Sequence, residues 1–89
     1  MTLSTKVLVQ QPHGLHLRAA VQLILVSRQF KSRITLKNMK AVANAQSILG
    51  ILNLEAAEGS ELEIILEGED AGEALAEVRG FFNSPNSWR

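Results

Sequence analysis

Polar and apolar residues alternate along "TKVLV", Thr5 to Val9, and the β-branched content there predicts a strand that Pro12 and Gly14 bring to an end. From Leu17 to Phe30 the spacing becomes helical, with Ala20, Leu23, Ile24 and Ser27 on one inward stripe. Alternation returns in "RITLK", where Ile34 and Leu36 share a face, and "KAVA" after Asn38-Met39 reads as the second arm of a hairpin. Asn44 to Leu54, "NAQSILGILNL", predicts a short apolar helix that Ser47 is placed to cap. Gly50 weakens it by up to about 1 kcal/mol relative to alanine. "SELEIILEG" is the clearest strand: Leu62, Ile64 and Leu66 line one face, and Glu61, Glu63 and Glu67 the other. Asp70 and Glu73 have capping-box spacing ahead of a last helix with Ala71, Ala74, Leu75, Val78 and Phe82 along one face. Pro85 marks its expected end, and in the tail, 83–89, Trp88 is expected to make only a loose packing contact.

Strands with one polar and one apolar face need their helices on a single side. The expected class is α+β, an open-faced two-layer sandwich of a four-stranded antiparallel sheet with three helices on one face, in the order β-α-β-β-α-β-α. With 89 residues, 46% of them hydrophobic and 20% charged, the chain is expected to form one domain, residues 1–89. A chain this small buries only about 60% of its unfolded surface, which leaves little for a deep cavity and points to chemistry at the surface.

Charge changes the picture more than composition does. The formal net charge is zero, yet no Asp or Glu precedes Glu55, while Lys6, Arg18, Arg28, Lys31, Arg33, Lys37 and Lys40 all do. Such a division favours an anionic partner, unless folding interleaves the two parts and cancels the field. The chain has no cysteine, which excludes disulfides and thiolate-ligated zinc and suits a reducing compartment. "LRAAVQLILV" is too short and too polar to span a membrane, and no secretory signal pattern is visible. A soluble, cytoplasmic chain without membrane insertion is the expectation.

Candidate chemistry lies in "PHGLHLRAA", residues 12–20. His16 falls where a turn meets the first helix, and the N–H groups of Leu17, Arg18 and Ala19 there lack intrahelical acceptors and form the positive end of the dipole. The Arg18 guanidinium adds a fork suited to phosphate oxygens, so terminus and arginine together describe a phosphate cradle. Imidazole is also a nucleophile near neutral pH, which would let His16 carry a phosphoryl group covalently. On this stretch alone, a capping or surface histidine beside a solvated arginine is the favoured reading. His13 reads as a turn residue; no carboxylate or thiolate stands near it to complete a metal site, and no metal or cofactor is expected. A charged His13 would add to the field at the phosphate.

These residues resemble the histidine-containing phosphocarrier HPr of the bacterial phosphotransferase system, including its nitrogen-branch paralogue. "GLHLRAA" stands where that family has glycine, an aliphatic residue, the phosphorylated histidine, a small residue, arginine, proline and a small residue. "NAQSILGILNL" places Ser47 where a dedicated ATP-dependent kinase modifies some members, and "EGED" leads into the last helix as in the family. The resemblance implies that His16 is the phosphorylated histidine and Arg18 its partner. Enzyme I would be the donor, a IIA-type protein the acceptor, and HPr kinase/phosphorylase a possible modifier of Ser47. The chain would then be a carrier intermediate in sugar transport or a nitrogen pathway rather than an enzyme with its own turnover. It also implies one docking patch beside His16, formed by Leu17 and Val21 of the first helix and Ile48 and Ile51 of the short one, and rimmed by Arg18, Arg28 and Lys40. Ordinary burial is the competing reading of Val21 and Ile48.

The chain departs from the family pattern at three positions. Ala19 replaces the usual proline, which leaves one more N–H at the helix start. Leu17 replaces a small residue, and Met39 stands in the hairpin where many relatives carry glycine. A regulator acting through Ser47 or through binding alone is the alternative within the family. An RNA-binding module using the basic segment is the alternative outside it. None of the four aromatics falls in a predicted strand, so a base-stacking platform is missing and no nucleic-acid partner is expected.

Overall fold

The computed structural model describes residues 1–84. Its elements are β1 (Thr2–Leu8), α1 (Leu17–Ser27), β2 (Arg33–Asn38), β3 (Ala41–Asn44), α2 (Ile48–Asn53), β4 (Glu61–Glu67) and α3 (Ala71–Asn83). The four strands form one antiparallel sheet in the order β1-β4-β2-β3, and the three helices cover one face of it. The order and architecture expected from the hydrophobic pattern are those observed.

Period-two alternation decides which face is covered. Leu62, Ile64 and Leu66 of β4 are fully buried beside Ile34 and Leu36 of β2 and Val7 of β1. Leu23 and Val26 of α1, Ile51 of α2 and Val78, Phe81 and Phe82 of α3 close over them. Phe81 and Phe82 meet edge to face with ring centroids 5.0 Å apart, so both aromatics of the last turn are core; only Phe82 stood out in the spacing.

On the open face the charge division is resolved. β4, the acidic strand, runs between the basic β1 and β2, so Lys6 and Lys37 both stand opposite Glu63, and Arg33 opposite Glu67. Ion pairs join Lys6 to Glu61 at 4.0 Å, Lys37 to Glu63 at 3.9 Å and Lys31 to Glu69 at 3.7 Å. Exposed pairs of this kind contribute little to stability, but they neutralise that face. Arg18, Arg28 and Lys40 make no ion pair among the described residues.

Element boundaries moved for local reasons. α1 stops at Ser27 instead of Phe30, because Gln29 and Phe30 donate to Val26 and Ser27 at 3.2 Å and tighten the chain into turns. β1 begins at Thr2, three residues earlier than its alternation suggests, and α3 ends at Asn83. Pro85 and Trp88, on which sequence expectations also rested, lie outside the described residues.

The capping box at α3 is not formed. Asp70 occupies the N-cap, but its carboxylate makes no cap bond and reaches instead across the fold, accepting from Lys31 N at 2.8 Å, Ser32 N at 2.9 Å and the Ser32 hydroxyl. Those amides precede β2 and are supplied with an acceptor by α3, which fixes the helix to the sheet. The Ser32 hydroxyl, and after it the Lys31 and Ser32 amides, hold the Asp70 carboxyl below the usual carboxylate range. A depressed carboxyl contributes stability above its unfolded value of about 4 and loses it as pH falls through the folded value. Asp70→Asn should therefore be less stable than the native chain at neutral pH, and the gap should close below about pH 4. Urea midpoints measured from pH 7 to pH 2 would show a constant gap if Asp70 is not the acid-sensitive group.

Candidate functional site

The site begins with a clamped turn. Gly14 N donates to Gln11 O at 2.9 Å, and Leu15 N donates to Ala56 O, in the connection after α2, at 3.0 Å. Val9 and the Gly59-Ser60 segment exchange bonds of 2.7 and 2.8 Å, and the buried Gln11 amide donates to Phe81 O of α3 at 2.9 Å. Gly14 has φ +76°, and a Cβ there would lie 2.3 Å from Ala56 O, so only glycine allows this approach. Leu15 is buried, and the next residue, His16, emerges exposed from an anchored chain.

His16 is the N-cap of α1, with extended backbone at φ −78° and ψ −177°. Its carbonyl accepts the first helical bond, from Ala20 N at 2.9 Å, and its Nδ1 accepts from Arg18 N at 3.2 Å. Nδ1 therefore turns its lone pair toward the helix terminus, and the neutral ring carries its proton on Nε2. The Leu17, Arg18 and Ala19 amides are those without an i−4 partner in the helix. α1 has no acidic residue in its first turn, and the Arg18 side chain is exposed and makes no ion pair with a carboxylate among the described residues. The geometry suits an anion bonded at Nδ1: amides and helix dipole face it, and a guanidinium is within one residue of them.

Beside the ring lies an apolar surface. Leu17, Val21 and Leu25 recur at four-residue steps along the exposed face of α1, and Ile48 and Leu49 of α2 are exposed as well. Ile51, expected in this patch, does not belong to it: it is 0% exposed, whereas Ile48 is 38% and Leu49 74% exposed. Three residues along a helix is about 300° of rotation, so Ile51 stands about 60° from Ile48, and in a six-residue helix that carries it into the core. Leu49 of α2 and Leu25, one turn beyond Val21 in α1, are the exposed residues instead. The i, i+4, i+8 spacing of Leu17, Val21 and Leu25 was the available signal for the latter.

Residues 3–84 match the family described as PTS HPr component phosphorylation site. The chain belongs to the HPr family. The phosphocarrier protein HPr of Lysinibacillus sphaericus is 38% identical over 67 residues, 75% of this chain and 76% of the relative. The phosphocarrier protein NPr of Klebsiella oxytoca is 33% identical over 85 residues, 94% of this chain and 94% of the relative. Among solved structures, the phosphocarrier protein HPr from Bacillus anthracis str. Ames superimposes with a TM-score of 0.86 at 31% identity, over 91% of this chain and 96% of that one. A phosphocarrier role in the phosphotransferase system follows from this membership, and the NPr relative fits a nitrogen-branch likeness.

The departures from the HPr pattern have structural counterparts. Ala19 is buried against the core and keeps an N–H that proline lacks. Leu17 is exposed and enlarges the apolar rim around His16. Met39 adopts φ 58° in the two-residue connection from β2 to β3, which explains why glycine suits that position. Ser47 caps α2 as expected, its Oγ accepting from Gly50 N at 3.0 Å. Among the described residues no three His, Asp or Glu side chains gather as metal ligands, and no helix is long and apolar enough to cross a membrane.

Proposed function

We propose that this HPr-family chain carries a phosphoryl group on Nδ1 of His16, taking it from phosphorylated enzyme I and delivering it to a IIA-type acceptor. The observation that carries this reading is the Nδ1 contact with Arg18 N at 3.2 Å at the start of α1. In the loading step the Nδ1 lone pair attacks phosphorus, the Nδ1–P bond forms, and the donor–P bond breaks with its electron pair leaving on the donor. The Arg18 N–H, freed from the ring nitrogen, turns to a phosphoryl oxygen together with its neighbouring amides and the guanidinium. Delivery is the same displacement in reverse, with the acceptor as nucleophile. Because the cradle is preformed and solvent-facing, it holds the group without enclosing it, as a carrier between two partners requires.

The partners dock, in this reading, on Leu17, Val21, Leu25, Ile48 and Leu49, an apolar centre whose neighbouring cations Arg18, Arg28 and Lys40 favour acidic protein surfaces. Residues 1–89 act as one domain in the cytoplasm, where the cysteine-free composition is at ease. Incubation with enzyme I and labelled phosphoenolpyruvate should give acid-labile, alkali-stable label, which a IIA-type protein then removes. Failure to label with active enzyme I would end the proposal.

Ser47 is the regulatory position. A phosphoryl group on its Oγ would add nearly two negative charges beside Ile48 and Leu49, repelling an acidic partner while being tolerated at a helix N-terminus. Ser47→Ala should lose the label transferred from ATP by HPr kinase, keep the label from phosphoenolpyruvate, and unfold about 1 kcal/mol more easily for want of its cap. Label from ATP persisting in the variant, located by peptide mapping, would move the site elsewhere.

A further inference from the structure

His13 takes no part in the transfer chemistry above, yet the fold holds it against the reacting ring. It lies between Pro12 and Gly14 with φ 69°, a left-handed conformation that non-glycine residues seldom adopt. The turn that imposes this is the one closed by Gly14 N on Gln11 O and fastened by Leu15 N on Ala56 O, so the side chain starts from a fixed backbone. Its ring meets that of His16 edge on, with centroids 6.3 Å apart and planes at 65°. Both rings are exposed, which leaves room for a substituent on His16.

We propose that His13 is a second cationic ligand for the phosphoryl group on His16, one whose protection of that group against hydrolysis grows as pH falls. This rests on His16 being the carrier residue. A phosphoryl group has close to two negative charges near neutral pH, and imidazole is the side chain that gains its charge between about pH 8 and pH 5. The charged groups on elements packed against the turn are His16 and Arg18 of α1, Glu55 and Glu58 of the connection after α2, and Arg79 of α3. Replacing His13 alone leaves all of these groups in place and separates its part from that of His16.

The ring centroids are 6.3 Å apart, and a unit charge at roughly that range from a doubly charged group, in a water-like dielectric screened by salt, changes an equilibrium or lifetime roughly three- to ten-fold. The test compares loss of label from purified phosphoprotein at pH 5.5 and pH 8 for the native chain, His13→Asn and His13→Lys. Asparagine is chosen because it tolerates positive φ. At pH 5.5 the native label should outlast that of His13→Asn roughly three- to ten-fold, and at pH 8 the two should decay alike. His13→Lys, charged at both values, should show the longer lifetime at both. A ratio of native to His13→Asn that does not change with pH would mean that His13 only shapes the turn, and would overturn this inference while leaving His16 as carrier. A native chain that never takes up label would overturn both.

Discussion

His16→Asn should abolish labelling from phosphoenolpyruvate and enzyme I while leaving the chain as stable as the native protein. Asparagine is among the best N-cap residues, so its side chain can take over the bond from Arg18 N that Nδ1 accepts at 3.2 Å. It provides no nucleophilic nitrogen. His16→Ala removes both functions and should be silent in the same assay, with stability lower by about 1 kcal/mol. The pair separates nucleophile from cap: label lost in both, with a thermal midpoint lowered only in the alanine variant, is the expected result. Label retained on His16→Asn would place the phosphoryl group on another residue.

Gly14→Val should be the most destabilising change near the site. The added Cβ must displace Ala56 O, 2.3 Å away, and Ala57 Cα, 2.9 Å away, from backbone positions that no side-chain rotation can relieve. The left-handed φ of +76° adds a second penalty, about 1–2 kcal/mol for an L-residue, to overpacking of about 1–3 kcal/mol, so a loss of about 3 kcal/mol is expected. Gly59→Ala is the control: φ is again positive, at +91°, but nothing lies within 4 Å of its Cβ, and only the conformational part should remain. Urea unfolding measures both. In the folded fraction of Gly14→Val the phosphorylation rate should also fall, because Leu15 and His16 follow directly from the displaced residue. Equal costs at the two glycines would show that the contact with Ala56 does not hold the turn.

The strands were legible because one face of each is apolar, and β4, where Leu62, Ile64 and Leu66 alternate with glutamates, could be read without ambiguity. Its place between β1 and β2 was not, although the outward charges of Lys6, Lys37 and Arg33 match those of Glu63 and Glu67 once the register is known. Ile51 was misplaced because a helix of six residues is too short for its period to separate two faces about 60° apart. Asp70 was assigned to a local box, since sequence spacing reveals neighbours three residues away but not Lys31 and Ser32, whose amides needed an acceptor. The position of His16 at the start of α1 is legible, because a turn ending in glycine and an apolar helix start leave little choice about where the N-cap falls. What raises His13 above a turn residue, its ring 6.3 Å from that of His16, depends on a left-handed backbone that no spacing reveals.

The strand order β1-β4-β2-β3 has a consequence for how the molecule comes into being. Among the described residues the first strand made pairs only with the last, with Thr2 facing Glu67, so a ribosome-bound nascent chain has just the β2–β3 hairpin of the sheet to assemble until residue 67 has emerged. Closing a loop of that span sets a slow, largely all-or-none step. Fragments cut between α2 and β4 should be unstructured apart yet complement each other when mixed.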